Sequence, residues 1–257
     1  MTGLPVWAAA GAWGLLGGSA LVLGAAVAYL VRLPARVTAG IMAFGCGVLV
    51  SAVAYDLILE GVELASLRPV VLGALAGSLA YTAANWLVSH GGLSVAGRHR
   101  KRSGGQQMDA AQGGALAIAV GSLLDGLPES VVLGVGLLDG QGVSPGVLAA
   151  ILLSNLPEGL SSAAGMRRAG RGPAYVFGLW GGIAVLSGAA AALGAGLLGG
   201  AGPEVVAGVR ALAAGALLTM VADTMIPEAV EGEKGLAGLF VVLGLLTALG
   251  LSQGLEG

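Results

Sequence analysis

Two polar stretches break an otherwise apolar sequence, Ser122-Leu-Leu-Asp-Gly-Leu-Pro-Glu-Ser130 and Ser154-Asn-Leu-Pro-Glu-Gly-Leu-Ser-Ser162, and both contain Leu-Pro-Glu. A carboxylate near the middle of a bilayer costs about 2.5 to 3.5 kcal/mol on insertion scales, so such residues are rare in membrane helices unless they function. Asp125, Glu129 and Glu158 would together cost roughly 8 to 10 kcal/mol. They are therefore the first candidates for a functional site.

Helical spacing groups the polar side chains of each stretch. Residues three and four apart share a helix face, so Asp125 and Glu129 are predicted to point the same way. In the second stretch Ser154, Asn155 and Glu158 are grouped by the same spacing. Each stretch is therefore expected to present its carboxylates on one side of one helix.

A proline precedes the glutamate of each stretch. Pro128 removes the helical hydrogen bond to the carbonyl of Leu124, and Pro157 does the same to the carbonyl of Leu153. Lipid tolerates a freed carbonyl only where the backbone faces protein or a wet cavity. Two such helices facing each other would form an oxygen-rich cage suited to a divalent cation.

At these residues the sequence resembles the ZIP (Zrt-/Irt-like) family of divalent metal transporters. That family typically carries His-Asn-x-Pro-Glu-Gly on its fourth transmembrane helix, and His or Gln, an acidic residue and x-Pro-Glu-Gly on its fifth. The corresponding residues are Asp125-Gly-Leu-Pro-Glu-Ser130 and Ser154-Asn-Leu-Pro-Glu-Gly159. The Pro-Glu cores match, whereas Asp125 stands where His is usual and Ser154 where His or Gln is usual. The resemblance implies eight transmembrane helices and transport by alternating access.

The predicted metal site has five residues, all with oxygen donors: Asp125, Glu129, Ser154, Asn155 and Glu158. Carboxylate and amide oxygens suit harder cations than the imidazole of the family motif does, so the preferred metal stays open among Zn, Mn and Fe. The resemblance implies that Glu129 and Glu158 bridge two metal positions. Residues 174–199 lack the carboxylate that the family often has on its sixth helix, so the second position is expected to be weak or absent. The metal is the substrate, and no cofactor is expected.

Composition places the chain among polytopic membrane proteins. Hydrophobic residues make up 56% and charged residues 10% of the 257 residues, whereas an average soluble protein is about 25% charged. The 48 glycines are typical of helices that pack closely in lipid through small-residue faces, which also allows a homodimer. The formal net charge of -2 argues against nucleic acid as a partner. With one cysteine, Cys46, an intrachain disulfide is excluded.

Eight apolar stretches are long enough to span a bilayer, at about 7–30, 38–59, 69–89, 114–138, 144–166, 174–199, 204–227 and 236–254. They predict an all-α membrane protein with a single transport domain over residues 1–257 and a cytoplasmic loop at about 90–113. Nearly all Lys and Arg residues lie on one side of these stretches, and only Arg68 and Arg210 lie on the other. By the positive-inside rule, this predicts a multi-pass protein of the cell membrane with both termini outside the cytoplasm.

The chain also resembles itself. Residues 47–63 align without gaps with residues 215–231. In the predicted topology these two segments cross the membrane in opposite directions. An inverted repeat of helices 1–3 and 6–8 around central helices 4 and 5 is therefore predicted, and substrate sites of such repeats lie near the midplane at the repeat interface.

Further acidic residues lie at or near the ends of the apolar stretches. Asp56 and Asp223 are interpreted either as cation ligands near the ends of the transport path or as polar residues that reach the membrane interface. The glutamates at helix ends are expected to be solvated caps, although acidic clusters at a pore mouth also concentrate cations. They are Glu60, Glu63, Glu228, Glu231 and Glu233.

Other classes of function compete with transport. An intramembrane hydrolase needs a base near a nucleophile or a zinc motif such as H-E-x-x-H, yet His90 and His99 both lie in the predicted loop. The sequence has no P-loop for ATP. We therefore expect no enzymatic activity. Two alternatives stay open: a non-transporting or metal-sensing homologue with a degenerate site, and a transporter of another cation.

Overall fold

The computed structural model describes residues 4–31, 33–90, 126, 128–138, 143–168 and 170–255. These residues form helices and their connections, with no strand among them. The predicted all-α class is confirmed for this part of the chain. Residues 91–113, most of the predicted loop, lie outside it.

Eight helical segments follow one another along the described residues. They are α1 Val6–Leu30, α2 Ala35–Leu64, α3 Leu67–His90, α4 at 128–135, α5 Pro145–Arg168, α6 Pro173–Leu198, α7 Pro203–Gly232 and α8 Ala237–Leu255. Six of these described helices, α1, α2, α3, α5, α6 and α7, are long and apolar enough to cross a membrane, and Ala237–Ser252 is a shorter apolar helix. The described chain therefore has the helices of a multi-pass membrane protein, while the number of eight spans stays a prediction.

Prolines mark the beginnings of five helices. Pro5 and Pro34 directly precede α1 and α2, and Pro145, Pro173 and Pro203 are the first residues of α5, α6 and α7. Proline suits this place because the first N–H groups of a helix have no helical acceptor, and its φ is already close to the helical value. The helices therefore begin close to the residues where the apolar stretches begin in the sequence.

Two of the long helices change their winding part-way. α2 is π-helical over Val53–Leu59, and α7 is π-helical over Val221–Met225. The first residues of these two segments are paired in the alignment of residues 47–63 with residues 215–231. π-helical turns are rare in proteins and frequently occur at functional sites. Both segments are therefore candidates for a functional role.

Three sets of contacts hold most of the helices together. α1 packs against α5 and α6, while α3 packs against α7 and α2 packs against α8; α2 also contacts α5 and the end of α7. In the α1–α5 contact, a Cβ added to Gly24 would overlap the carbonyl oxygen of Leu156, and one added to Gly159 would overlap that of Leu21. Glycine therefore lets these two backbones approach each other closely, as is common between helices in lipid.

The α2–α8 and α3–α7 contacts are built alike. A Cβ on Gly47 of α2 would overlap the carbonyl oxygen of Val241 on α8, and a Cβ on Gly215 of α7 would overlap that of Ala74 on α3. Gly47 and Gly215 are paired in the sequence alignment. The partner helices supply two further close approaches of the same kind, Gly244 to the Phe44 carbonyl and Gly77 to the Leu212 carbonyl.

Candidate metal site

Helices α4 and α5 meet at a buried carboxylate. Glu129 of α4 is 3% exposed, and Ser154 of α5 is 1% exposed. The Ser154 Oγ atom lies 3.0 Å from Glu129 Oε1 and 3.0 Å from the Ile151 carbonyl oxygen. A hydroxyl has one hydrogen, so these two acceptors share it. Two of the five predicted site residues are thus in direct contact.

Glu158 extends this polar region along α5. It is partly buried and stands four residues after Ser154, so the two side chains lie on the same face of the helix. Pro157 precedes it inside the helix and is fully buried. Because proline has no N–H, the helical hydrogen bond to the Leu153 carbonyl is absent, as predicted from the sequence. Serine and carboxylate oxygens therefore follow one another beside a weakened turn of α5.

Asn155 points its amide nitrogen toward a different helix. It is buried, and its Nδ2 donates a hydrogen bond of 3.2 Å to the carbonyl oxygen of Gly17 on α1. The amide therefore links α5 to α1. Only its oxygen could serve as a metal ligand, and that predicted role stays a prediction.

Asp125, the fifth predicted ligand, lies outside the described residues, as does Leu124 with its carbonyl. Next to it, the backbone of α4 is helical at Gly126 and from residue 128 onward. Ser130 Oγ donates a hydrogen bond of 2.6 Å to the Gly126 carbonyl oxygen one turn earlier. The buried hydroxyl of Ser130 is thus satisfied by its own helix.

The described part of the site contains two carboxylates. In the ranges that the structure describes, no three His, Cys, Asp or Glu side chains form a group that could hold a metal ion. Glu129 and Glu158 supply the charge there, and Ser154 and Asn155 supply neutral oxygens. All of these donors are hard, which suits Mn or Mg at least as well as Zn.

Glu228 of α7 is a residue that the sequence interpretation placed wrongly. We expected a solvated cap, but the residue is partly buried, and Ser161 Oγ of α5 donates a hydrogen bond of 2.9 Å to Glu228 Oε1. Ser161 stands three residues after Glu158, so it continues the polar face of α5. The serine was visible in the second polar stretch, whereas its partner on a distant helix was not.

Asp56 of α2 lies at the opposite end of α5. Ser144 Oγ donates a hydrogen bond of 3.3 Å to Asp56 Oδ1 and accepts one of 3.4 Å from the backbone N–H of Val147. Ser144 thus caps the first turn of α5. The negative charge of Asp56 is favourable there because the N-terminus of a helix carries partial positive charge.

Arg210 of α7, which the sequence analysis counted only for its side of the membrane, is buried. Its Nη1 lies 3.4 Å from Oε2 of Glu60 at the end of α2, with 6% of the Arg210 side chain exposed and 48% of that of Glu60. A buried guanidinium requires such a partner, because an uncompensated charge in a low-dielectric interior is costly. Glu60, which was expected to be a solvated cap, is therefore the ion-pair partner of a buried arginine.

Comparison with known proteins adds no assignment. No protein-family model matches the chain, and no curated protein matches it.

Proposed function

We propose that this protein transports a divalent transition-metal cation, Zn, Mn or Fe, across a membrane through the site between α4 and α5. The observation that carries the proposal is Glu129, a carboxylate buried in a bundle of apolar helices and hydrogen-bonded to Ser154. Ionised groups inside membrane proteins mark ion pathways because their burial is otherwise unfavourable. Glu158, which lies on the same face of α5 as Ser154, provides the second negative charge that a dication needs.

The proposed ligand set is the one predicted from the sequence. Glu129 and Glu158 bind the cation from α4 and α5, Asp125 adds the third carboxylate, and Ser154 and Asn155 contribute neutral oxygens. Two carboxylates would balance the charge of a dication, and a third would leave one net negative charge that a proton on one of them would offset. The resemblance to the ZIP family supports this set, because its Pro-Glu motifs fall on the same residues.

The proposed mechanism is alternating access within an inverted repeat. In support, Gly47 and Gly215 occupy paired positions and make equivalent close contacts, one in α2–α8 and the other in α3–α7. The π-helical segments of α2 and α7 also begin at paired positions. In transporters built this way, one part of the bundle rocks against the other around a central site. The same topology would place both termini outside the cytoplasm.

Uptake of Zn, Mn, Fe, Co and Cd into proteoliposomes tests the proposal. Glu158→Ala should lower uptake by about tenfold or more, as expected for a lost contribution to metal binding. Asp125→His should shift preference toward Zn, because imidazole favours Zn over harder cations. Glu204→Ala is the matched control, since Glu204 is exposed in the first turn of α7. Equal uptake by all four proteins would refute the assignment.

A second candidate function is metal sensing without transport. It is favoured by the observation that the described residues contain no group of three His, Cys, Asp or Glu side chains that could hold a metal, as expected of a degenerate site. In this case the purified protein would bind metal in a manner that depends on Glu129 and Glu158, yet proteoliposomes would take up no metal. Measuring bound metal by elemental analysis beside uptake therefore separates the two functions.

A further inference from the structure

The two ends of α5 are tied to two different helices. At the N-terminal end, Ser144 Oγ donates to Asp56 Oδ1 of α2 at 3.3 Å. At the C-terminal end, Ser161 Oγ donates to Glu228 Oε1 of α7 at 2.9 Å. Ser154, with its contact to Glu129, lies between them along the helix. Each tie therefore stands between the candidate site and one end of α5.

Both ties involve the part of a helix where the winding changes. Asp56 lies inside the π-helical segment Val53–Leu59, and Glu228 lies three residues after the π-helical segment Val221–Met225. Helices bend at π-helical turns, because the regular ladder of hydrogen bonds is interrupted there. The π-helical segments are therefore the places at which the last turns of α2 and α7 would bend relative to the remainder of each helix.

The last turns of α2 and α7 also each contact the beginning of the other helix. The end of α2 is held to α7 by the ion pair between Glu60 and Arg210. The end of α7 packs on the start of α2, where a Cβ on Gly232 would lie 2.5 Å from the Cβ of Ala39. The two ends are thus placed alike but held differently, one by charge and the other by close packing.

We propose that the Ser144–Asp56 and Ser161–Glu228 contacts are alternating latches, with the π-helical segments of α2 and α7 as their hinges. When one latch opens, the other stays closed, so the candidate site is reached from one end of α5 at a time. This inference rests on the proposed transport function and names the residues that regulate access to its site.

The latches are suited to this task because the serine of each contributes one hydroxyl hydrogen bond to its carboxylate. Losing one ordinary hydrogen bond changes an equilibrium by about threefold to tenfold, which is enough to shift the balance between two access states without unfolding the protein. A ligand or a substitution can bias such a balance only through a difference between the two states. Removal of the Ser144 hydroxyl should therefore favour the state open at the N-terminal end of α5. Removal of the Ser161 hydroxyl should favour the state open at the other end.

Reporter cysteines can measure this balance without any transport. In a Cys46→Ala background, Gly146→Cys reports on the N-terminal latch, because its Cβ would lie 3.5 Å from Ser144 Oγ, an ordinary contact distance. Gly165→Cys reports on the other end, where no described atom outside its own helix backbone lies within 4 Å of an added Cβ. The rate of maleimide labelling is measured in lipid nanodiscs, where both membrane faces are accessible.

Ser144→Ala should raise the labelling rate at position 146 by about threefold to tenfold and lower it at position 165. Ser161→Ala should do the reverse. Ser19→Ala is the matched control, because among the described residues that hydroxyl bonds to the Leu16 carbonyl of its own helix. Asp56→Ala opens the N-terminal latch while keeping the serine cap of α5, so it should reproduce Ser144→Ala.

A higher labelling rate at both reporter positions, or an unchanged rate at both, would overturn the proposal of alternating latches. Uptake by the unmodified protein, measured separately, keeps this result apart from that of the proposed function. Metal uptake without reciprocal labelling refutes the latches alone. Reciprocal labelling without metal uptake refutes the transport of metal and leaves two access states that serve another purpose.

Discussion

The α4–α5 centre and the α2–α8 and α3–α7 pairs are held together by different kinds of contact. In the pairs, backbone meets backbone at Gly47 and Gly215, where even a methyl group would overlap a carbonyl oxygen. In the centre, side chains meet through the hydrogen bond from Ser154 to Glu129. A close backbone contact cannot change unless the helices separate, whereas a hydrogen bond can be exchanged for a metal–oxygen bond. Rigid pairs around an adjustable centre therefore suit the binding and release of a cation.

The largest effect on stability is expected from the rigid pairs. Gly47→Ala should lower the free energy of unfolding by about 1 to 3 kcal/mol, because the added methyl group forces α2 and α8 apart. Gly215→Ala should cost a similar amount, since its contact with α3 is built in the same way. Denaturant titration in detergent micelles measures both.

Gly182→Ala is the control for these variants, because in the part of the chain that the structure describes nothing beyond the backbone of α6 lies within 4 Å of its added Cβ. It should be neutral or stabilising by about 0.5 to 1 kcal/mol, since alanine favours a helix more than glycine does. If all three variants lost the same stability, close packing at Gly47 and Gly215 would not distinguish the pairs from the rest of the bundle.

The centre should show the opposite pattern, with a large effect on function and little on stability. Glu129→Gln keeps the size of the side chain and removes its charge, so uptake should fall by about tenfold or more. The unfolding temperature without metal should stay the same or rise, because a neutral amide is less costly to bury than a carboxylate. Glu204→Gln, at an exposed position, should change neither quantity. A Glu129→Gln protein that unfolds more readily but transports normally would make Glu129 a structural residue.

A smaller effect is expected from Ser154→Ala. The loss of one hydroxyl that contacts Glu129 should weaken metal binding by about threefold to tenfold, as measured by isothermal titration calorimetry. Ser130→Ala is a useful comparison, because that hydroxyl is also buried but bonds to its own helix. Equal losses in the two variants would indicate that Ser154 stabilises a helix and does not position Glu129.

The smallest effect is expected from Asn155→Ala, which tests the link between the centre and α1. Loss of its hydrogen bond to Gly17 should lower the free energy of unfolding by about 1 kcal/mol. If the amide oxygen is also a ligand, metal affinity should fall as well. A change in stability with unaltered affinity would remove Asn155 from the ligand set and leave it as a link between α1 and α5.

Sequence reasoning nominated two residues that the structure brings into contact, and it was less informative about the residues around them. The contact of Ser154 with Glu129 joins two residues from the two polar stretches, and helical spacing was enough to nominate both. Glu228 was misjudged because its position near the end of an apolar stretch resembles that of a solvated charge, and Arg210 was used only to assign a side of the membrane. Their partners, Ser161 and Glu60, are 67 and 150 residues away in the sequence. No local pattern could reveal those pairs.

Length, apolarity and charge spacing are properties of single segments, so the amino-acid sequence alone was sufficient to indicate a bundle of membrane-type helices with carboxylates inside it. Which helix faces which depends on the fit of whole surfaces. Here that fit is decided by glycines that admit a neighbouring backbone and by serines that meet acidic side chains on other helices. Only the folded chain could therefore establish that α5 is tied at its two ends to α2 and α7, because those contacts exist only after the helices have packed.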